Sequence, residues 1–247
     1  MKRKLFVRSV SETGLVRKDN QDSIFVSADN TVFCVADGMG GGSDGALAGR
    51  IVCEEVESAS AAISSGLREV VDRAIENANR RVRDHAIRQG FRQMGSTALV
   101  LVFDPEDDTR VSICHVGDSR VYRIRDGRVE LMTSDHTIGN QLVRLANAET
   151  AKKLRSRANP LSHILTRAIG SKDPVEPEWR DVDVRAGDWF LACSDGVHDV
   201  LDEERIQEIF AGEKTLDGFS DRLRTEVLGA GAPDNFSYIV IKTAEDA

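Results

Sequence analysis

Two consecutive amphipathic helix patterns, lying between groups of short apolar strand patterns, constrain the fold more than any other feature of this sequence. Apolar residues recur at helical spacing from Leu47 to Ile63 and again from Leu67 to Val82. Each helix would bury one apolar face, and two successive helices need a shared surface to cover. The short apolar strands that follow supply such a surface. We therefore expect the helix pair to pack against a sheet.

The order of the predicted elements favours two antiparallel sheets. A second helix pair, Ile206–Phe210 and Leu216–Val227, follows most of the strands. Strands do not alternate with single helices, so a doubly wound parallel sheet is not expected. We predict an α+β fold, a four-layer α/β/β/α sandwich of two antiparallel sheets flanked by helix pairs. The predicted strands are Lys4–Val10, Ser23–Ser27, Val32–Ala36, Ala98–Phe103, Val111–Val116, Val121–Ile124, Val129–Met132, Val182–Val184, Trp189–Cys193 and Phe236–Ile241.

Composition limits the functional classes. The chain has 247 residues and no Pro-, Gly- or Ser-rich linker, so we expect residues 1–247 to form a single domain. The net charge of -8 argues against a nucleic-acid partner, whose phosphates demand a basic patch. Arg8 cuts short the apolar run near the basic N-terminus, and no stretch is long enough to span a bilayer, which predicts a cytoplasmic protein without a membrane partner. The four cysteines form no Cys-x-x-Cys pair, which indicates small buried residues.

Five aspartates stand at or beside the ends of predicted strands and carry the functional prediction. They are Asp22, Asp37, Asp118, Asp195 and Asp234. Carboxylates that converge at one sheet edge repel one another, so a cation must hold them together. Oxygen-only ligands suit magnesium and manganese rather than zinc. Two such ions can activate a water molecule and clamp a phosphoryl group.

Considered singly, these motifs have simpler explanations. Asp-Gly is a common turn dipeptide, so Asp37-Gly38 or Asp195-Gly196 alone would be an ordinary turn. The glycine cluster from Gly38 to Gly42 suggests a nucleotide loop. It lacks the last glycine of the dinucleotide fingerprint and the lysine of a P-loop.

Taken together, six separated motifs keep one order across nearly the whole chain. The motifs are Arg17–Asp22, Val35–Gly41, Gly95–Ala98, Val116–Arg120, Ser194–Gly196 and Asp234–Asn235. In that order and spacing, the sequence resembles the metal-dependent serine/threonine protein phosphatases of type 2C, the PPM family, in their compact bacterial form.

The resemblance implies a role for each candidate site residue. Asp22 would bind metal through water, and Asp118 would help to hold a weaker third ion. Arg17 would meet the substrate phosphate, since a guanidinium fork fits a phosphate bidentately. Arg17 and Asp37 are the expected catalytic residues. The core pair of Mn²⁺ or Mg²⁺ ions would be held by Asp37, the carbonyl of Gly38, Asp195 and Asp234.

The implied reaction is hydrolysis of phosphoserine and phosphothreonine in proteins by a hydroxide that bridges the two ions, without a covalent phosphoenzyme. The partners would be phosphorylated proteins, the substrates of a bacterial serine/threonine kinase, and regulation of type VI secretion is one candidate role. We expect a monomer. Two alternatives stay open: a pseudo-enzyme that binds phosphoproteins without cleaving them, and a metal-dependent phosphodiesterase or nuclease.

Three positions depart from the family pattern. Gln21 stands where many relatives have glutamate, and Met39 where animal relatives have a histidine proposed as general acid. His198 replaces a small polar residue. The proton donor to the leaving oxygen is therefore open, with His163 and His198 as candidates, whereas His115 and His136 are expected to be structural.

The segment Ile138–Arg157 is predicted to be a mobile flap that selects protein substrates. It is polar, helix-prone and interrupts a strand-rich region, and it follows Thr133–His136, where bacterial relatives place their flap. Its few apolar anchors are expected to be Leu142, Leu145 and Leu154. The alternative is a rigid surface helix pair without a role.

Overall fold

The strands form two antiparallel sheets. The computed structural model describes residues 3–40, 42–63, 66–90, 94–154 and 159–245. Residue 41 of the predicted glycine cluster and residues 155–157 of the predicted flap lie outside the described residues. The described strands are β1 (Arg3–Glu12), β2 (Asp22–Val26), β3 (Val32–Met39), β4 (Gly95–Ser96), β5 (Ala98–Phe103), β6 (Arg110–Val116), β7 (Arg120–Arg125), β8 (Arg128–Leu131), β9 (Glu178–Asp183), β10 (Trp189–Cys193) and β11 (Phe236–Glu245).

One sheet has the order β2-β3-β5-β6-β9, with β4 paired to β3, and the other has the order β1-β11-β10-β7-β8. Turn chemistry fixes the register of the β7–β8 hairpin. Asp126 and Gly127 both have positive φ, 51° and 75°, as the tight turn between two twisted strands requires. The last predicted strand before Trp189 runs earlier than expected, Glu178–Asp183 rather than Val182–Val184, because its pairing with β6 extends back to Glu178.

Helix pairs cover the outer faces of both sheets. The described helices are α1 (Gly42–Ser60), α2 (Leu67–Gln89), α3 (Ile138–Leu145), α4 (Ala148–Leu154), α5 (Asp195–His198), α6 (Glu203–Gly212) and α7 (Leu216–Gly229), with a 3₁₀ turn at Pro160–His163. The side chains of Asp202 and Thr215 accept backbone N–H groups at the starts of α6 and α7, which satisfies donors that a helix leaves unpaired.

Strand alternation sorts the core into three layers. In β3, Cys34 faces α1 and α2, whereas Phe33 faces the other sheet. In β10, Leu191 faces α6 and α7, whereas Phe190 points into the layer between the sheets. This alternation confirms the four-layer α/β/β/α sandwich. The four cysteines are free and buried, as predicted.

The predicted flap contains α3 and α4, but two of its predicted anchors are wrong. The Leu145 side chain is 86% exposed and Leu142 is 39% exposed. Val143 is buried instead, on the same helical face as Gly139, which packs so closely on Ser162 that a Cβ would crowd it. Residues four apart share a helix face, and this face, rather than that of the two leucines, turns inward. Among the described residues, no helix is long and apolar enough to cross a membrane.

Candidate metal centre

One cleft of about 1800 Å³ collects most of the predicted site. Its lining includes Asp37, Asp118, Asp195, Asp234 and Arg17. Gly38 lines the same cleft. Asp22 lies buried at its base, opposite Asp37 in the β2–β3 register. Every position that the sequence proposed as a metal ligand or phosphate ligand is therefore in or directly behind a single cleft.

Asp37 and Gly38 are held where β3 meets β4 and α1. The Asp37 N–H donates to Thr97 Oγ1 at 2.9 Å, and the Thr97 N–H donates to the Asp37 carbonyl at 2.8 Å. A Cβ at position 38 would overlap the carbonyl oxygen of Gly45. Only glycine permits this close approach of α1 to the strand end.

Asp195 follows β10 and Asp234 precedes β11, and these two strands are neighbours in the other sheet. Asp195 opens α5 directly after β10, and a Cβ on Gly196 would overlap the Asn235 carbonyl. The Asn235 side chain then fastens the loop that precedes β2. Its Oδ1 accepts the Gln21 N–H at 2.9 Å, and its Nδ2 donates to the Asp19 carbonyl at 2.9 Å. These contacts bring both sheets together at the cleft.

The aspartates repel one another in the absence of a cation. Burial raises the pKa of Asp37 and of Asp118 well above the usual range, and the nearby Asp195 raises both further. Burial likewise raises the pKa of Asp195 and raises that of Asp22 to about 7. Buried carboxylates of this kind are held either by protons or by a cation.

The donor set fits a hard divalent cation. Asp22 Oδ2 accepts the Ser194 hydroxyl at 2.7 Å, but Asp22 Oδ1 is buried and has no hydrogen-bond partner among the described residues. A water molecule bound to a cation is a suitable donor for such an oxygen. The remaining candidate ligands offer carboxylate or carbonyl oxygen, which magnesium and manganese prefer.

Arg17 reaches the carboxylates from the rim of the cleft. Its Nη2 lies 2.6 Å from Asp234 Oδ2, and about half of its side chain (54%) is exposed. The hydrogen bond to Asp234 raises the pKa of the guanidinium. A permanently charged, half-exposed fork beside the cluster is suited to bind a phosphate group.

The two candidate proton donors lie in different places. His163 lines the cleft, 44% exposed, with its Nδ1 3.3 Å from Asp199 Oδ2. His198 is buried behind Asp118, whose carbonyl it contacts through Nε2 at 3.0 Å. Of the two, His163 is the one that could meet a leaving group in the cleft. The departures Gln21 and Met39 also line the cleft.

His115, His136 and Glu178 form a further group whose ligand-type atoms lie within 4.8 Å of one another. The Gly117 N–H donates to His136 Nδ1 at 3.1 Å, so the ring proton sits on Nε2, which faces Glu178 Oε2 at 3.3 Å. A neutral imidazole has one lone pair, and Gly117 already uses it. This group is therefore unsuited to hold a metal. It braces the segment that carries Asp118 and supports the structural role expected for the two histidines.

Sequence reasoning missed the residues that orient the carboxylates. Thr97 and Ser194 lie inside quoted motifs, yet nothing in the sequence indicates that their hydroxyls hold Asp37 and Asp22. Asp199 follows α5 and bridges towards both His163 and His198. Its position four residues after Asp195 was the available signal, since such residues share a helix face.

Comparisons with known proteins agree with this geometry. A family model described as "Protein phosphatase 2C" matches residues 8–227. Protein phosphatase PhpP of Streptococcus pneumoniae is 27% identical over 244 residues, which cover 96% of this chain and 97% of PhpP. The catalytic domain of the serine/threonine phosphatase PstP, solved with two manganese ions, has a TM-score of 0.82 and 28% identity and covers 99% of this chain and 100% of that chain. PppA, a key regulatory component of T6SS in Pseudomonas aeruginosa, has a TM-score of 0.84 and 27% identity and covers 97% of each chain.

The match extends over most of the chain, and the relatives are phosphatases of one kind. The resemblance inferred from the six motifs is thereby confirmed. This chain belongs to the protein phosphatase 2C family, and it is a metal-dependent protein serine/threonine phosphatase.

Proposed function

We propose that the cleft holds two divalent ions and binds the phosphate of a phosphoserine or phosphothreonine side chain beside them. Asp22 supports the ion pair through water, and Asp118 helps to hold a weaker third ion. Arg17 binds the phosphate. The ligands of the core pair are Asp37, the Gly38 carbonyl, Asp195 and Asp234.

A pair of bound Mn²⁺ or Mg²⁺ ions supplies an activated water molecule and offsets the charge of the phosphoryl group. The chain's own groups do the rest. Arg17 contributes a fork of N–H donors that favours the dianionic phosphate. Thr97 and Ser194 fix Asp37 and Asp22, so little reorganisation is needed when charge develops. His163, oriented by Asp199, lies where it can donate a proton to the leaving serine or threonine oxygen.

The observation that carries this proposal is the mutually repelling cluster of buried and partly buried aspartates, in which Asp22 Oδ1 has no hydrogen-bond partner among the described residues. The experiment is an assay on a phosphothreonine peptide and on DNA, after EDTA treatment and after Mn²⁺ or Mg²⁺ is restored. We expect peptide hydrolysis that EDTA abolishes and Mn²⁺ or Mg²⁺ recovers, with no DNA cleavage. Calcium should bind but support little turnover, because its looser coordination positions water poorly.

Three results would contradict the proposal in different ways. Full activity in excess chelator would rule out a metal-dependent mechanism. Peptide binding without turnover in saturating Mn²⁺ indicates the pseudo-enzyme. Cleavage of DNA indicates the nuclease.

The physiological setting is proposed from the resemblance. Residues 1–247 would act as a single monomeric catalytic domain in the cytoplasm, opposing a bacterial serine/threonine kinase. The likeness to PppA supports a role in type VI secretion. Deletion of the gene should raise phosphothreonine in the kinase's substrates and change effector secretion. Unchanged secretion with raised phosphothreonine would leave the phosphatase role intact and remove the secretion role.

A further inference from the structure

The main chain of Asp118 is held by a buried histidine on the helix that carries Asp195. His198 is 4% exposed, and its Nε2 donates to the Asp118 carbonyl at 3.0 Å. Asp195 and His198 are the first and last residues of α5. One helical turn therefore sets the position of Asp195 directly and that of Asp118 through the imidazole.

On the opposite side of this imidazole, contacts through Asp199 connect His198 to His163, which lines the cleft. His198 Nδ1 lies 3.4 Å from Asp199 Oδ1, and Asp199 Oδ2 lies 3.3 Å from His163 Nδ1. His163 ends the 3₁₀ turn after the flap and lines the cleft. All four residues of this chain of contacts, Asp118 included, also line a second cavity of about 590 Å³ behind the cleft.

Asp118 depends on such support. Its carboxylate is buried, and the nearby Asp195, Asp135 and Asp199 all disfavour its charge. Gly117, just before it, has a φ of 108°, so the chain turns sharply at this point. His136 fixes the Gly117 side of the turn, since its N–H donates to the Gly117 carbonyl at 3.0 Å. His198 is the contact that fixes the Asp118 side.

We propose that His198 is a positioning residue, which sets the Asp118 carboxylate relative to Asp195 so that the two can share the weaker third ion. On the other side of the ring, Asp199 Oδ1 lies 3.4 Å from His198 Nδ1, which has no hydrogen-bond partner among the described residues, so any support from Asp199 is electrostatic. A small polar side chain at position 198 would end short of the Asp118 carbonyl, so this support comes from the histidine. The inference rests on the proposed function, because Asp118 must be a metal ligand for His198 to act through it.

The test measures Mn²⁺ binding to two variants of the protein in which His198 is replaced. His198→Phe keeps a ring but removes the donor to Asp118, and His198→Gln retains an N–H donor near the position of Nε2. Free Mn²⁺ is followed by electron paramagnetic resonance, which gives the number and dissociation constant of each class of bound ion without an activity assay. Asp221→Asn, an exposed carboxylate on α7, is the matched control.

We expect His198→Phe to keep the tight class of ions and to weaken the weaker class by about tenfold or more, the usual effect of losing a group that orients a metal ligand. His198→Gln should stay within about threefold of wild type, and Asp221→Asn should be unchanged. Turnover of an aryl phosphate by His198→Phe should be low at limiting Mn²⁺ and recover at high Mn²⁺.

A double-mutant cycle of His198 and Asp199 tests whether Asp199 acts through the His198 ring. Asp199→Asn alone should weaken the same class of ions by less than His198→Phe does. The double variant should lose no more than His198→Phe alone, because both act through one contact. Additive losses would mean that Asp199 acts separately.

The inference is overturned if folded His198→Phe binds every class of Mn²⁺ as wild type does, or if His198→Gln is as weak as His198→Phe. It is also overturned if wild type has no weaker class of ion, which leaves the two-ion site standing. Failure of the proposed function has a different signature: Asp37→Asn would then retain the tight class of ions.

Discussion

At the scale of single residues, Asp37 and Asp195 should decide turnover more than stability. Both side chains are partly buried in the cleft, and the loss of solvent around them raises the pKa of each. We expect Asp37→Ala and Asp195→Ala to fall below about 1% of wild-type kcat at saturating Mn²⁺, since each removes a ligand of the ion pair. Assays with an aryl phosphate measure this directly.

The same variants should fold. Removing one member of a repelling cluster should leave the Tm of the chelator-treated protein equal or higher. Asp221→Ala, on the exposed face of α7, is the control and should change neither quantity. Near-normal kcat in either cluster variant would show that the ligand assignment is wrong.

Arg17 should act mainly on substrate binding. Its guanidinium lies at the cleft rim, paired with Asp234. We expect Arg17→Ala to raise KM for an aryl phosphate by about tenfold or more, as loss of a charged hydrogen bond does, with a smaller fall in kcat. Arg17→Lys should recover charge but not the bidentate fork. Unchanged kinetics would make Arg17 an ordinary surface arginine.

Asp22 should give the metal-free protein a characteristic pH dependence. Burial raises its pKa to about 7, against about 4 for an unfolded aspartate. A carboxyl whose pKa is raised on folding stabilises below its unfolded pKa, and that stabilisation is lost as the pH rises through the folded value. We therefore expect the Tm of chelator-treated protein to fall between about pH 4 and about pH 7 more steeply in wild type than in Asp22→Asn.

The comparison of the two proteins cancels the titrating groups that lie outside the aspartate cluster. Burial lowers the pKa of His136 to about 4, which has the opposite sign and makes stability rise with pH between about 4 and about 6.5. That contribution is common to wild type and Asp22→Asn. Parallel Tm curves for the two would show that Asp22 keeps an ordinary pKa.

The sequence located the carboxylates because each stands at a strand end, a position that it could predict. It did not locate the hydroxyls of Thr97 and Ser194, whose partners Asp37 and Asp22 are far away in the chain. The ion pair of Arg17 with Asp234 was equally hidden, since 217 positions separate the two residues. Pairings across two sheets depend on register and packing, which composition and periodicity do not encode.

At the scale of elements, α3 is the part of the predicted flap that faces the cleft. Gln141 and Ile138 line the cleft, and Gln141 Nε2 donates to Thr166 Oγ1 at 3.2 Å. We expect Gln141→Ala to change kcat/KM for a phosphoprotein several-fold while turnover of a small aryl phosphate hardly changes, because only the protein substrate extends over α3.

Two further variants sharpen this test. Thr150→Ala, exposed on α4, should leave both substrates unaffected. Asn140→Ala should reduce both, because Asn140 Nδ2 donates to the Asp135 carbonyl at 2.7 Å and so supports the wall of the site. Equal effects of Gln141→Ala on the two substrates, or none on either, would reject α3 as a selector.

Helix rotation explains why helices were predicted correctly in this segment, whereas two of their apolar anchors were not. The polar, helix-prone composition correctly indicated helices, which α3 and α4 confirm over their described residues. Hydrophobicity alone favours the leucines as anchors. The buried face carries Val143 and Gly139, because the neighbouring 3₁₀ turn leaves no room for a larger side chain at position 139.

At the scale of the whole molecule, stability rests on the layer between the two sheets. Phe190 is fully buried there, with its ring edge-on to Phe103 at 5.5 Å between centroids. We expect Phe190→Ala to lower the free energy of unfolding of chelator-treated protein by about 3–5 kcal/mol, measured in urea. Phe6→Ala, 42% exposed on β1, should cost less than about 1 kcal/mol. Similar decreases in the free energy of unfolding for both variants would show that the layer between the sheets is not the main source of stability.

The architecture was predictable because period-2 alternation and paired helices admit few arrangements. Strands such as β5 and β10 are apolar on both faces, which requires a layer on each side. The sheet order was not predictable in the same way. β1 pairs with β11, the two ends of the chain, and no local pattern encodes that contact.

The ion pair between Arg17 and Asp234 implies a preferred order of assembly. In this structure the guanidinium that is proposed to bind phosphate is occupied by a carboxylate that is proposed to bind metal. An ion that engages Asp234 would set Arg17 free, so cations should load before the phosphorylated side chain can be captured. By thermodynamic reciprocity, a captured phosphate would in turn raise the affinity of the protein for the cations. Release of the phosphate product would then weaken cation binding, because Arg17 would be free to pair with Asp234 again.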